Sequence, residues 1–531
     1  MNILLQELNN NDALLSIEKK ESVLGNLSYM EEALLLAAYY KKNPKRLLIV
    51  KPNAYTAQKL YERLQSLLKD DVLLLALEES LRVEAIAASP ESKAVQMEVM
   101  AKLQEKSTYI AILNTAAAIR FLPSPEVFQD HCIHIKQDME IEYDKLKKLL
   151  MESGYGHVSR VDQPLCFAAR GGIIDVYSMN YDHPIRIDFF DNIIESIRFF
   201  DISTQRTIEV INEAIIIPAN DLLFTENQIN EIVNNVQKEL KKQLPQHDSS
   251  LQNTLKEHVE EDLDLIKNRM MESRLYYAFL KDRFTIFNYV DNALVILSSM
   301  EEVNNHIRNM HEEMVAYLQE LFQEGISLHA FDVFADLNSV LNDCETLMFH
   351  EFVDYKKPIS SQIMTMTLGD ISLERTMQEV IHQSRNRKVL LCLDEKEQDK
   401  IKKLLQQDNI FWREVTDQDK LEIGIQFINE SLPEGFTCLK ENISVYTGKE
   451  LFHTVKRTTR YSNKFKEAEI LHNFQELNIG DYVVHNQHGI GKYLGIVNKK
   501  IDGVHKDFLH IAYKGDDVLL VPLEQFKLIR K

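Results

Sequence analysis

His485 and His488 stand three residues apart in VVHNQHGIG, a spacing at which two imidazoles could share a metal ion. No cysteine lies near them, and the next histidines, His505 and His510, fall on later strand-type runs. The pair therefore reads as side chains that satisfy turn backbone. Adjacent carboxylates such as Glu260 and Glu261 sit in a charged helical stretch and read as helix surface, not as an acid and base. No segment supplies a GxSxG nucleophile elbow, an HExxH pair or a GxxxxGK[ST] phosphate loop. No catalytic residue, metal ligand or cofactor is assigned, and the remaining chemistry is that of recognition.

Two strand-rich blocks carry it. In PLCFAARGGIIDVYSMNYDHPIRIDFFDNIIESIRFFDISTQRT, period-two alternation puts Ile185, Ile187 and Phe189 on one face of a strand and Arg186, Asp188 and Phe190 on the other. The first face is an ordinary core. The second sets a large aromatic among charges, the make-up of an interface hot spot. In the alternative, Phe190 is buried in another core and Arg186 pairs with Asp188.

The second block, Gly480 to Ile529, packs five short β-type runs. Val483, Ile490, Tyr493, Ile496, Phe508, Ile511, Tyr513, Leu519 and Val521 are core candidates, with bends at Gly489, Gly491, Gly495, Gly503 and Gly515. It reads as a small binding barrel. Gly495–Ile501 is its candidate free edge. Lys499 and Lys500 there suit an acidic partner, and equally guard an exposed edge against aggregation.

The elements that hold these blocks follow from composition and period. With 531 residues the chain suggests three to five domains, and 45% hydrophobic content with few prolines and glycines describes ordered globular protein. No apolar run approaches the ~18 residues of a membrane span, and MNILLQELNNNDALL is polar-interleaved, so a soluble chain without a membrane partner is expected. Five scattered cysteines (Cys132, Cys166, Cys344, Cys392, Cys438) offer neither a disulfide framework nor a CxxC site, as in a reducing cytoplasm. A net charge of −20 argues against broad nucleic-acid binding and for protein partners.

Helix and apolar strand alternate from Tyr29 to Leu122 in the manner of a parallel α/β layer, with strands at Arg46–Val50, Val72–Ala76 and Tyr109–Asn114. The period drops to two from Pro164 to Ala219, with a compact turn at Asp191 and Asn192. A charged helical stretch (Glu226 to Arg274), a second α/β unit (Phe284–Ser298) and a mixed region (Ala330 to Glu450) follow. The basic stretch Val455–Glu469 reads as a linker. Trp412, the one tryptophan, reads as core or packing surface.

Three resemblances attach to these motifs. The terminal block, through VVHNQHGIGKYLG and GVHKDFLHIAY, resembles the CarD-like RNA-polymerase-interacting domain of bacterial transcription-repair coupling factors. The AARGG and PIRIDFF block resembles the UvrA-binding domain that this family shares with the excision-repair protein UvrB. The layer itself resembles the front of UvrB, where a GxxxxGK[ST] loop precedes the first helix. In LGNLSYMEEALLLAAYY, Gly25 and Ser28 remain while the lysine and second glycine do not, and DNALVILSS puts Leu297 and Ser298 where an acidic pair would hold magnesium.

The resemblance implies an α/β and α+β multidomain chain. Its parts are a degenerate UvrB-like, RecA-like layer (1–130 and 218–325), an inserted UvrA-binding domain (131–217), a mixed α/β middle domain of unknown role (326–454), a linker (455–475) and a small SH3- or Tudor-like barrel (476–531). It implies a cytoplasmic, non-catalytic adaptor. UvrA would be held through Arg170, Arg186 and Phe190, and the RNA polymerase β subunit by strand pairing along Ile496, Val497, Asn498, Lys499 and Lys500. The family shows an apolar residue near Lys499 more often than a lysine. ATP, magnesium and most DNA contact are expected only for the family's translocase, which would lie beyond Lys531 in a chain truncated there. The alternatives are a UvrB-like ATP-dependent repair helicase subunit and a freestanding CarD-like transcription regulator.

Overall fold

The computed structural model describes residues 1–20, 27–82, 90–269, 273–328, 332–349, 360–366, 372–453, 480, 482–485, 489–501, 504–513, 518–522 and 529–530. The basic linker lies outside these residues.

Two short helices, α1 (Asn2–Glu7) and α2 (Asp12–Glu18), precede α3 (Tyr29–Lys42). Ser28 and Glu31 close a capping box at the start of α3, and its residues are apolar nearly all round because the helix is buried on most sides. The runs RLLIVK, VLLL and YIAILN form β1 (Arg46–Lys51), β2 (Val72–Leu75) and β3 (Tyr109–Asn114). Helix α4 (Ala54–Leu68) joins the first two. Unbroken apolar runs of this kind fit parallel strands covered on both faces.

The chain then leaves the layer through β4 (Ile133–Lys136) and helix α5 (Tyr143–Glu152). It builds β5 (Gly156–His157), β6 (Cys166–Arg170), β7 (Ile173–Val176), β8 (Ile185–Phe190), β9 (Ile193–Phe200) and β10 (Thr207–Ile211), and returns through β11 (Glu213–Ile216). Strands β5 to β10 form one six-stranded sheet in sequential order, while β4 and β11 pair with each other as an antiparallel stem. Gly171 and Gly172, at φ +53° and +87°, make the tight turn between β6 and β7. Asp191, at φ +55°, turns β8 into β9. Leu146 and Leu150 of α5 pack on Ile174, Ile187 and Ile197.

After a helical pair, α6 (Glu226–Gln243) and α7 (Ser249–Lys267), strands β12 (Leu294–Leu297) and β13 (Glu345–Met348) rejoin the layer. The all-parallel order is β13-β12-β1-β3-β2. Strand β13 comes from the stretch that the sequence pattern groups with the middle region; a four-residue run reading ETLM carries too weak a period to declare its sheet.

A mixed sheet follows, made from β14 (Ile363–Thr365), β15 (Lys388–Cys392), β16 (Trp412–Glu414), β17 (Gly424–Ile428), β18 (Phe436–Cys438) and β19 (Ile443–Thr447), in the order β14-β18-β19-β15-β17-β16. One of its faces shares a continuous core with α1, α2, α3 and β1: Leu390, Phe436, Ile443 and Val445 belong with Leu4, Leu8, Leu34 and Ile49. Polar ties line the same seam. Asn11 Nδ2 donates to the Ser361 carbonyl at 2.8 Å, Lys388 pairs with Glu7 at 2.6 Å and Lys440 with Asp12 at 2.7 Å. The N-terminal helices thus lie between the parallel layer and the mixed sheet.

The last sheet comprises β20 (Tyr482–His485), β21 (Gly489–Ile501), β22 (Val504–Ala512), β23 (Val518–Pro522) and β24 (Ile529–Arg530). It is antiparallel throughout, in the order β23-β22-β21-β20-β24. Among the described residues β23 and β24 do not pair, so an open sheet is what is seen where a closed barrel is expected. Among the described side chains, Val483, Tyr493, Leu509 and Ile511 are its buried apolar ones. Gly491 is needed for close approach: a Cβ there would lie 2.4 Å from Ile511 Cγ2.

Candidate functional site

In the inserted sheet, antiparallel register decides which side chains share a face, since directly paired residues point the same way. Ile174, Ile187 and Ile197 stack inward beneath α5. The outer face carries one row of Asp175, Arg186, Arg198 and Val210, a second of Arg170, Ile173, Asp188 and Ser196, and the pair Phe190 and Ile193 at the β8–β9 turn. Phe190 is 72% exposed, as the hot-spot reading requires.

Arg186 matches neither reading in full: it is ion-paired where the contact reading leaves it open to a partner, yet not with the carboxylate that the alternative names. Its partner is not Asp188 but Asp175 on the next strand, reached by Nε at 2.7 Å and one terminal nitrogen at 2.8 Å, while the same terminal nitrogen donates to Gln205. The guanidinium lies over the Phe200 ring at 4.3 Å and is 18% exposed. Hydrogen bonding to Asp175 raises its pKa further, outweighing the desolvation that opposes it. Asp188 is taken by Arg198. Arg170, at the tip of the Gly-Gly turn, is exposed, and among the described residues no carboxylate pairs with it.

In the last sheet, residues 489–492 of β21 pair with β20 and residues 492–501 with β22. Among the described residues the second edge of 495–501 therefore has no strand partner. Ile496, Val497, Asn498, Lys499 and Lys500 all lie on this half-paired backbone, and a bulge between Tyr493 and Gly495 marks where it parts from β20. His485 lies in β20, and His488 is outside the described residues.

The start of α3, where a phosphate loop would deliver its ligand, is occupied by the protein's own charges. Glu32 accepts from Lys51 Nζ at 2.8 Å and from Ser298 Oγ at 2.7 Å, with the lysine and glutamate side chains 6% and 4% exposed. Glu31 caps the helix and accepts from Ser361 Oγ. Burial raises the Glu31 pKa, the hydrogen bonds acting against it. Lys51 and Arg63 both lie over the Tyr29 ring, 5.7 and 5.5 Å from its centre, and Arg63 and Lys449 both pair with Glu434, at 2.7 and 3.1 Å. Two carboxylates in the first turn answer the positive helix end and would repel a phosphate there. Gly25 lies outside the described residues, as does the loop around it. Among the described residues no cluster of three His, Cys, Asp or Glu is arranged to hold a metal ion, and no helix is long and apolar enough to cross a membrane.

Comparison with known proteins agrees with this geometry. Residues 133–222 match the UvrB interaction domain family, and residues 477–531 match the CarD-like/TRCF RID domain family. The transcription-repair-coupling factor of Bacillus subtilis (strain 168) is 30% identical over 96% of this chain and 45% of its own length. Those of Staphylococcus haemolyticus (strain JCSC1435) and Staphylococcus epidermidis (strain ATCC 12228 / FDA PCI 1200) are 27% and 26% identical over 95% of this chain and 44% of their own lengths. The chain matches the N-terminal half of the transcription-repair-coupling factors. It spans less than half the length of these relatives.

The match to the UvrB interaction domain family follows the structure closely at the insert. The matched stretch opens on β4 and closes six residues after β11, just past Asp221. Asp221 is a buried carboxylate whose pKa burial would raise; the charges of Arg274 and Arg120 and hydrogen bonds from Arg274 and Gln96 bring it below the ordinary value. The sequence reading missed this anchor, the Glu32–Lys51 pair and the exposed apolar side chains Ile173, Ile193, Ile208 and Val210. For the last four, β-branched side chains on strands flanking the aromatic were the available signal.

Proposed function

We propose that this chain is a non-catalytic adaptor part of a transcription-repair coupling factor, joining RNA polymerase to UvrA in nucleotide excision repair. The observation that carries the proposal is the pairing of two recognition modules in one chain. One is a UvrB-type interaction domain whose outer face exposes Phe190. The other is a CarD-like domain in which residues 495–501 keep a half-paired backbone.

Arg170 and Phe190 would contact UvrA directly, with Arg186 behind them. The polymerase β subunit would add a strand along Ile496 to Lys500, backbone bonds supplying affinity and alternate side chains selectivity. The front layer, insert, middle domain and terminal domain would divide as the resemblance implies. The Glu32–Lys51–Ser298 contacts support a layer that holds no nucleotide, so ATP-driven translocation and most DNA contact would fall to parts of the family beyond the matched length.

The test is calorimetric titration of UvrA with the chain and with Phe190→Ala. Truncating an aromatic anchor costs roughly 2–4 kcal/mol, about 30- to 1000-fold in affinity. Unchanged affinity in a variant that melts normally would overturn the site. Failure of the isolated polymerase β subunit to bind the wild-type chain would overturn the second arm.

A further inference from the structure

The contact area that the three expected residues offer is small for the task. A standard interface takes roughly 800 Å² from each partner, a patch about 32 Å across. Centred between Arg186 and Phe190, such a patch cannot end at β8. Two strand spacings of about 4.8 Å carry it to β10 within roughly 10 Å.

The outer face changes character along that path. Arg186 and Arg198 are already neutralised by Asp175 and Asp188, and together they form a satisfied polar strip across β7, β8 and β9. On one side of it lie Phe190, Ile193, Ile173 and Arg170, which pairs with no carboxylate among the described residues. At the end of the strip β10 is the edge strand of the sheet, where Val210, 65% exposed, continues the row beside Arg198, and Ile208 is half-exposed at a bulge between Thr207 and Glu209. An edge strand is ordinarily guarded by charge. This one presents two β-branched apolar side chains and the single carboxylate of Glu209.

We infer that the UvrA footprint crosses the whole outer face and ends on β10, where Ile208 and Val210 form a second apolar contact separated from the Phe190 cluster by the paired-charge strip. The inference rests on the proposed UvrA-binding reading and is continuous with that surface. The partner surface that fits has two apolar ridges with a polar channel between them, and an acidic group to meet Arg170. The Arg186 and Arg198 pairs then act as positioning residues, keeping the face flat and the channel neutral.

The experiment titrates the full chain with UvrA as wild type, Phe190→Ala, Val210→Ser, Ile208→Ser/Val210→Ser and Met151→Ser. The last is an exposed control on α5, the helix that covers the opposite face. The double variant on β10 is expected to bind about tenfold more weakly and Met151→Ser like wild type. If Val210→Ser lowers the melting temperature, Val210→Thr replaces it, since it keeps the β-branch. Loss of binding in Phe190→Ala with wild-type affinity in the β10 variants overturns the extension and leaves the UvrA reading standing. Wild-type affinity in both overturns the two together. Self-association that the β10 variants abolish while UvrA binding persists assigns the patch to a second copy of the chain, and also overturns the inference.

Discussion

Replacing Lys51 by methionine tests whether the protein's own charges hold the site at the start of α3. Lys51 Nζ and Glu32 Oε2 lie 2.8 Å apart with both side chains almost wholly out of water. At an effective dielectric of 20 their attraction is roughly 6 kcal/mol, against a desolvation cost of similar size. The intact pair therefore adds little net stability, but removing one member leaves Glu32 buried with, among the described side chains, only the Ser298 hydroxyl to answer it. That state costs about 3–5 kcal/mol, which lowers the melting temperature of a domain of this layer's size by about 6–20 °C. Far-UV circular dichroism reads the whole chain, while Trp412 fluorescence reads the mixed sheet. Because the layer and that sheet share one core, both signals are expected to fall together. The double variant Glu32→Gln/Lys51→Met removes both charges and is expected to recover most of the loss. A single variant as stable as wild type, or a double variant no better than the single, would refute the reasoning. Millimolar MgATP is expected to leave the wild-type transition unmoved, since a ligand at a hundred times its dissociation constant would add about 2.7 kcal/mol.

Other consequences can be measured in the same way. Burial pushes the Glu434 pKa up, but the hydrogen bond and charge of Arg63, with Lys449 behind it, bring it below 4.5. A carboxylate depressed in this way contributes stability above pH 4.5 and loses it as the pH falls through the folded value. Arg63→Ala is therefore expected to flatten the acid side of the pH–stability curve. Arg186→Ala removes a two-point pair with Asp175 and the cover over Phe200, so it should lower stability by about 1.5–3 kcal/mol in addition to weakening UvrA binding. Phe190→Ala should affect binding alone, and equal melting losses in the two variants would contradict this division. Gly435→Ala is expected to destabilise by about 1–3 kcal/mol in chemical denaturation, because its Cβ would lie 2.6 Å from the Val445 carbonyl oxygen and 2.7 Å from Glu450.

The elements most legible in the sequence were those with strong local signals. RLLIVK and YIAILN could be read as buried parallel strands because nothing polar interrupts them, and the hairpins of the insert because Gly171, Gly172 and Asp191 punctuate them. Relations between elements were less legible. Alternation within β8 names Asp188 as the neighbour of Arg186 on its face, but only cross-strand register reveals that Asp175 stands directly opposite. The start of the chain reads in the sequence only as polar-interleaved, and no periodicity says that the apolar residues of α1 and α2 share a core with a sheet some four hundred residues away. Exposure is the other gap: Phe190 could be suspected from its charged neighbours, whereas Val210 looks like any core valine until β10 is seen at an edge.

The stem of the insert has a consequence of another kind. Ile133 and Ile216 are paired across β4 and β11, so the chain departs and comes back at almost the same point of its host. The stretch between them has its own core and borrows little from the layer. An excursion closed at its base can be lifted out and joined by a short turn, or set into another scaffold, without either part losing its shape. Recognition modules of this form are portable, and a base of two paired strands lets the outer face change while the carrier keeps its core.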